Sequence, residues 1–385
     1  MLPNPFLRSI PPPDETDPDA NRKLLTALGG TELGNAYAEI IAGKKGGTGR
    51  AGTPARSEAT LLAAAQAAID SQDHLLAAAN HELTKNFFIS ELPRQYSQEI
   101  TTLSALRLLE TTEKGTGITA IDKKFYTVPT QQQIKDYFTS PEKASYIAEK
   151  LEQGFTNLLI VPFGYSTESL ANKQKELILK HHQAKKLLDR QGNKLDLNIN
   201  EPLYLWDSLK TDTTGGVVYY PTSFDKETHG GITKQELLTP TTPHALSKSP
   251  FPGFHVLLIK LDLKIPRAGD ATTTGGRSDL EAGQTPNNYL ALLQDPESPY
   301  HNELGLTPED SMTLFMRTLH TTNTAMDDYE NPDTKDSLNY HLAAYVPASV
   351  NVPGSGWSRT PRRASVYRRN PRRSNEDYGA RVAVG

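Results

Sequence analysis

Apolar residues recur at helical spacing in three long stretches of the chain. In the first stretch, Ile134 and Phe138 begin an apolar stripe that ends before Gly154. The third begins with Thr307 as a cap and Pro308 at the first helical position, followed by two acidic residues. The pattern predicts helices over 131–153, 166–188 and 308–326.

Shorter apolar runs, rich in aromatic and β-branched residues, separate these helices. Gly-Gly pairs and many Thr and Pro residues lie between them, as is typical of loops. The order of helices and strands predicts an α+β fold from about residue 130. The predicted strands are 158–163, 204–206, 217–220, 254–263 and 338–346.

The N-terminal part of the chain has a different texture. Residues 1–56 contain a Pro run, an acidic patch and a Gly-rich basic run, and this composition predicts disorder. The Gly43–Thr48 string lacks the Gly-Lys-Ser/Thr ending of a phosphate loop, so a linker is the better interpretation. Ser57 opens an Ala-rich helical pattern, and 57–129 is predicted to be a mostly helical accessory segment.

The composition excludes several kinds of chemistry. The chain has 385 residues and no cysteine, so disulfides, thiolate catalysis and Cys-based zinc sites are impossible. The N-terminus has no signal-peptide pattern, and the apolar runs are too short to span a bilayer. We therefore expect a soluble protein without membrane insertion, located in the cytoplasm or on a virion.

No catalytic, cofactor or metal motif stands out, so the sequence predicts a protein that is not an enzyme, with no catalytic residues, no cofactor and no metal site. There is no Gly-x-Ser-x-Gly, no His-Glu-x-x-His and no Rossmann glycine triplet. The acidic run Asp327-Asp328-Tyr329-Glu330 has oxygen ligands suited to calcium. A solvated acidic surface is the alternative, and we favour it.

The last 35 residues carry an unusual basic charge. Residues 351–385 contain eight Arg, no Lys and two acidic residues, a local charge of +6, whereas residues 1–350 carry −10. Candidate packing residues alternate with Gly, Ser, Arg, Tyr and Asn. The candidate packing residues are Trp357, Ala364, Val366, Pro371, Gly379, Val382 and Val384.

This tail resembles the variable region of diversity-generating retroelement target proteins, whose C-terminal domain has a C-type-lectin fold of the formylglycine-generating-enzyme type. The shared features are Val352-Pro353, Trp357, an Arg-x-Ala step ending at Ala364, the Asn370-Pro371 turn and the ending 379–384. Upstream stretches at 152–164, 230–233 and 305–310 also look similar, so the resemblance covers roughly 130–385. It implies a C-type-lectin-like ligand-binding domain over 130–385, with 351–385 as its variable region and an unknown ligand that is itself a protein.

The residue types of the tail agree with that resemblance. In such systems adenines are randomised, and asparagine codons then yield Arg, Ser, Gly or Tyr but never Lys, Glu, Gln, Met or Trp. Residues 1–350 hold 23 Lys and 10 Arg, so a tail selected only for charge would contain some Lys. Trp357 and Glu376 cannot arise by that route and are expected to belong to the scaffold, as are Arg363 and Arg381.

The expected ligand-binding positions are reachable by that mutagenesis and are predicted to share one exposed face. They are Gly354, Gly356, Ser358, Arg359, Arg362, Ser365, Tyr367, Arg368, Arg369, Arg372, Arg373, Asn375 and Asp377. Two alternatives remain open. An Arg-rich tail also suits nucleic-acid binding, and the fold resemblance permits an enzyme of the formylglycine-generating type, although the absence of cysteine removes the thiolates on which that activity depends.

Overall fold

The computed structural model describes residues 84–239, 250–260 and 264–385, which form helices and several small sheets within one unit that begins at Thr84. The predicted α+β class is confirmed. The segment predicted to be disordered (1–56) and the helix predicted to follow Ser57 lie outside the described residues. In the described part of the chain, no helix is both long and apolar enough to cross a membrane.

Local capping rules account for where the helices begin. Thr130 and Thr307 each form a capping box, with Gln133 and Asp310 respectively, and Ser166 accepts a hydrogen bond from the Ser169 N–H. The helices are α1 (Leu92–Ala105), α2 (Gln131–Phe138), α3 (Ala144–Glu152), α4 (Thr167–Gln183), α5 (Lys234–Leu238), α6 (Pro286–Gln294) and α7 (Pro308–Thr322).

All three predicted helices have different bounds in the structure, and the one predicted over 166–188 ends at Gln183. The single helix predicted over 131–153 is wrong, because α2 ends at Phe138 and α3 begins at Ala144. Pro141 lies in the gap, where it lacks an N–H and disfavours helical geometry in the residue before it. The last helix ends at Thr322 rather than at residue 326, because Asn323 adopts a left-handed conformation with φ of 62°.

The strands are short, and most of the sheets they form have two or three strands. They are β1 (Glu110–Thr112), β2 (Gly115–Thr119), β3 (Phe125–Thr127), β4 (Asn157–Val161), β5 (Leu203–Leu205), β6 (Val218–Tyr219), β7 (Ile232–Thr233), β8 (His255–Ile259), β9 (Thr273–Thr274), β10 (Arg277–Ser278), β11 (Leu304–Gly305), β12 (Leu338–Tyr340), β13 (Ala344–Tyr345), β14 (Val352–Ser358), β15 (Arg363–Arg369), β16 (Tyr378–Ala380) and β17 (Val382–Ala383).

The segment 84–129 differs from the prediction of a mostly helical accessory segment. It contains α1 but also the antiparallel sheet β1–β2–β3. The Gln95 side chain donates to the Thr156 carbonyl at 2.9 Å and accepts from the Leu158 N–H at 2.7 Å. These bonds join α1 to β4, so the described chain does not divide at the predicted boundary near residue 130.

The tail enters the largest sheet, whose strand order is β16–β12–β14–β15–β5. From the apolar, strand-like ending 380–384 we expect the tail to return as the final strand of an antiparallel sheet, and that expectation is wrong. The strands β14 and β15 form an antiparallel hairpin, but β16 joins β12 in parallel and β15 joins β5 in parallel. The last strand, β17, pairs with β11 in a separate two-stranded sheet. The tail therefore supplies four strands and is built into the fold.

Two apolar clusters hold this sheet. The larger one surrounds the buried pair β4–β8 and includes Trp357, Ala364 and Val366 from the tail. The smaller one gathers aromatic residues around α6 and β12, among them Tyr289 and Tyr340. The tail contributes to both clusters, since Val352 and Ala380 belong to the second.

Candidate ligand-binding surface

The hairpin β14–β15 has two faces that its register defines. Directly opposed residues share a face, so Trp357 with Ala364 and Ser355 with Val366 form the inner face, next to α7. The outer face carries four opposed pairs. These pairs are Ser358 with Arg363, Gly356 with Ser365, Gly354 with Tyr367 and Val352 with Arg369.

The inner face confirms the packing role expected of Trp357. The amphipathic ring also predicts a hydrogen bond from its indole N–H, and that prediction is wrong. Trp357 is fully buried, and Ala364 and Val366 beside it are almost fully buried. The indole N–H has no acceptor within the part of the chain that the structure describes. The ring therefore anchors the hairpin through its apolar surface.

Part of the outer face is covered by the segment 327–331. The Tyr329 hydroxyl lies 2.9 Å from the Ser358 hydroxyl, and the Trp357 backbone N–H donates to the Asp327 carbonyl at 2.9 Å. A Cβ atom at Gly356 would lie 3.1 Å from both the Asp327 carbonyl oxygen and the Tyr329 ring. A side chain at position 356 would therefore need this segment to shift by a few tenths of an ångström, which favours glycine there.

Four carboxylates around the start of that segment, which we call the acidic clasp, bind the tail; they are Asp189, Asp327, Asp328 and Glu330. The Arg359 guanidinium donates to Asp328 at 2.6 and 3.0 Å and to Asp189 at 3.1 Å. The Arg359 and Thr360 backbone N–H groups donate to Glu330 at 2.6 and 2.9 Å. Arg359 was expected to be an exposed ligand-binding residue, but these bonds tie it to the scaffold.

Arg381 makes the second connection to the acidic clasp. Its guanidinium donates to both Asp327 oxygens, at 2.5 and 2.9 Å, and its backbone N–H donates to the Asn339 side chain at 2.8 Å. Arg363 forms an ion pair with Glu201 and stacks 4.9 Å from the Tyr204 ring centre. The expectation that Arg363 and Arg381 belong to the scaffold is confirmed.

The environment of the acidic run contradicts the solvated acidic surface that the sequence analysis favoured. Asp327 and Asp328 are buried, with 7% and 0% of their surface exposed, so the solvated acidic face is wrong at these residues. Their charges are met by arginines instead of water. Among the described residues there is also no group of three or more acidic or His side chains placed to hold a metal ion.

Burial sets the pKa values of the carboxyl groups here. Burial raises the pKa of Asp328 above its ordinary value despite the Arg359 hydrogen bonds. Burial also raises the pKa of the nearby Asp336 to about 6, although Arg190 lies 3.3 Å away. Asp189 differs, because hydrogen bonds, chiefly from Asn193, outweigh the effect of its burial and lower its pKa. The carboxylates around the clasp are therefore desolvated to different degrees.

The thirteen expected positions do not share one exposed face. Gly354, Gly356 and Ser358 are buried, which makes the expectation of exposure wrong for these three. Arg368 lies on the opposite side of β15 from Tyr367. Four positions are half-buried: Arg359, Ser365, Arg369 and Asp377. Six are exposed: Arg362, Tyr367, Arg368, Arg372, Arg373 and Asn375.

The loop after β15 turns at Asn370-Pro371, as the resemblance implies. The Arg373 N–H donates to the Asn370 carbonyl at 3.2 Å, and the Arg372 N–H donates to the Asn370 side chain at 2.9 Å. Pro371 is buried and its carbonyl accepts from the Asn287 N–H at 3.1 Å. Glu376, expected to be a scaffold residue, is instead exposed in this loop.

Aromatic rings and guanidinium groups pack against one another on the open part of the outer face. Tyr204 and Tyr367 have ring centres 5.2 Å apart. The Arg369 guanidinium lies 4.7 Å from the Tyr378 ring centre and 5.5 Å from that of Tyr367. Such stacking orders the side chains while leaving the guanidinium edges to donate hydrogen bonds. The surface can therefore bind an acceptor-rich ligand.

Sequence reasoning missed the residues that position this surface from a distance. Asp189 precedes Arg359 by 170 residues, and Tyr204 joins the surface only because β5 pairs with β15. No local pattern connects these positions. The Asp327-Asp328 pair was visible, and its neighbours gave no sign that arginines would meet it.

Comparison with known proteins adds no relative: no family model, curated protein or solved structure matches this chain.

Proposed function

We propose that this chain is a ligand-binding protein that displays a diversified surface on a C-type-lectin-like scaffold and has no catalytic activity. The observation that carries the proposal is the way in which residue type follows burial along the tail. Of the seven residues assigned to packing from the sequence, six are buried and one, Val382, is half-buried. The exposed positions of the set hold Arg, Tyr and Asn, which are types suited to a binding surface.

The arrangement also suits variation of the surface without loss of the fold. Exposed side chains usually change stability by less than about 0.5 kcal/mol when they are replaced. The six exposed positions lie on a hairpin and loop whose backbone is fixed by Trp357, Pro371 and the acidic clasp. A rigid support with replaceable contact residues is what a diversified binding protein requires.

The test replaces the six exposed residues together. A variant with Arg362→Ser, Tyr367→Asn, Arg368→Thr, Arg372→His, Arg373→Ser and Asn375→Tyr should keep the melting temperature within a few degrees. It should also select different peptides from a displayed random library than the parent protein does.

The matched control replaces the three buried positions with the same types of residue. Gly354→Ser, Gly356→Asn and Ser358→Tyr should lower the melting temperature strongly, because the side chains would meet Leu338 and the segment 327–331. Unfolding of the six-residue variant, or selection of the same peptides by both proteins, would contradict the proposal. A reverse transcriptase gene beside a near-copy of the tail's coding sequence, differing at adenines, would support the diversification.

The alternative of an Arg-rich tail that binds nucleic acid as a detached arm is less well supported. The tail forms four strands of the fold, and three of its eight arginines, Arg359, Arg363 and Arg381, are paired with carboxylates inside the protein. Its charge is therefore only partly available to an external partner. A strong dependence of binding on salt concentration would be its signature.

A further inference from the structure

The arginines at the end of β15 differ from the paired ones. We call Arg368, Arg369, Arg372 and Arg373 the basic corner. In the described part of the chain only Arg372 forms an ion pair, with Asp225 at 3.8 Å, and both of these side chains are largely exposed. An exposed pair at this distance neutralises little charge. The corner therefore presents uncompensated positive charge next to Tyr367.

The rings beside the basic corner are already in contact with other groups. Tyr367 contacts Tyr204 and Arg369, and Tyr378 contacts Arg369, Tyr329 and Tyr340. Single-stranded nucleic acids gain much of their affinity from bases that stack on open aromatic faces. Because these rings contact side chains of the protein itself, fewer of their faces are open to stacking with bases.

The basic corner instead presents guanidinium N–H groups as hydrogen-bond donors to a ligand. The Arg369 Nε is buried and has no acceptor among the described residues, while its guanidinium plane is fixed by the two tyrosines. A fixed guanidinium matches the two oxygens of a carboxylate, and several neighbouring guanidinium groups match several carboxylates.

We propose that the basic corner recognises the carboxylate groups of an acidic segment in a protein ligand. This inference rests on the proposed function, because it names the partner class of the same surface. The Arg369 guanidinium binds one carboxylate at the edge of the tyrosine cluster, and Arg372 and Arg373 bind neighbouring acidic side chains from the turn after β15. Arg368 contributes from the other side of the strand end.

The test uses the full chain and two probes of equal charge, a peptide of alternating Glu and Gly and an oligothymidylate. The parent protein should bind the peptide more tightly than the oligonucleotide. Replacing Arg368, Arg369, Arg372 and Arg373 with Ser should weaken peptide binding roughly tenfold or more. A control with Lys114, Lys123, Lys186 and Lys194 replaced by Ser removes the same charge from other exposed positions and should bind like the parent.

Three results would overturn the inference: no measurable binding of the peptide, equal or tighter binding of the oligothymidylate, or an equal loss of binding in the lysine control. Circular dichroism melts of both variants show whether they are folded. If the corner variant does not fold, Arg369→Lys replaces it, because it keeps the charge but loses the planar fork and should still weaken binding. If the peptide does not bind but the six-residue replacement changes the selected peptides, the inference fails and the proposed function stands. If that replacement leaves selection unchanged, the proposed function fails whatever the peptide does.

Discussion

The arginines of the tail occupy two environments that differ in what lies opposite them. Arg359 and Arg381 meet buried carboxylates of the acidic clasp, whereas Arg368 and Arg373 extend from the basic corner without a carboxylate partner in the described chain. All four belong to one segment of 35 residues with no lysine. An arginine of this tail therefore has a structural role where it pairs with a buried carboxylate. It is available for binding near Asn370-Pro371, where the chain turns outward.

The largest expected effect concerns the ring that holds the anchored end of the tail. Trp357→Ala should lower the free energy of unfolding by about 3–5 kcal/mol, because it removes a fully buried aromatic side chain. Trp357→Phe should cost much less, since the indole N–H has no acceptor to lose. Denaturant melts measure both. A loss below about 1 kcal/mol for the alanine variant would show that the ring does not anchor the hairpin.

Removal of a clasped arginine comes next. Arg381→Ala should cost about 3 kcal/mol, because it leaves Asp327 buried without its partner. In the double variant with Asp327→Ala much of that loss should be recovered. Denaturant melts of the single and double variants measure this recovery. Purely additive losses would show that the ion pair is not the reason for the destabilisation.

The stability of the fold should depend on pH through the buried carboxyl group of Asp336. The pKa of Asp336 is about 6 in the fold, above its ordinary value of 3.8, so the folded state keeps a proton that the unfolded chain releases between these values. Stability contributed by this group is therefore present at low pH and is lost as pH rises through 6. Asp336→Asn cannot titrate, so its stability relative to the parent should improve by about 3 kcal/mol between pH 4 and pH 7. A constant difference in urea melts across that range would contradict this.

Arg359→Ala should have a smaller effect than Arg381→Ala, about 1–2 kcal/mol. The Arg359 side chain is 36% exposed, against 12% for Arg381, so water can reach Asp328 and Asp189 once the arginine is gone. Chemical unfolding of the two single variants under identical conditions gives the ranking. The reverse order would show that Asp328 is harder to hydrate than Asp327.

The smallest effect is expected at the basic corner. Arg373→Ser should change the free energy of unfolding by less than about 0.5 kcal/mol, because the side chain is exposed and has no ion pair within the described residues. Thermal and urea melts can detect a larger change. A loss above about 1 kcal/mol would show that Arg373 has a structural role like Arg359 and Arg381. It would contradict the distinction between arginines of the acidic clasp and those of the basic corner.

Local sequence rules predict where the long helices of this fold begin. The caps at Thr130, Ser166 and Thr307 follow from residue type alone. Pro141 gave an equally local signal, and weighing it against the apolar stripe would have divided the first helix correctly. The burial of Trp357 also followed from the size and amphipathic character of its ring.

What could not be predicted depends on contacts between distant parts of the chain. The parallel pairing of β16 with β12 has no local signature, and neither does the meeting of Asp189 with Arg359. Burial of Gly356 depends on a segment that passes over it from positions 327–331. Residue type in the tail predicted most of the buried packing positions, but the exposure of the others depended on which neighbours cover each position.

The close approach of that segment to Gly356 has a consequence for anyone who builds libraries on this protein. A side chain at 356 would displace Asp327, and Asp327 holds Arg381 while its neighbour Asp328 holds Arg359. The effect of an added methyl group therefore reaches two ion pairs through a shift of a few tenths of an ångström in this segment, so the tolerated residue at 356 should depend on the residues at 327–329. A useful library would keep 356 as glycine or would randomise it together with 327–329, so that compensating changes are sampled in the same clones.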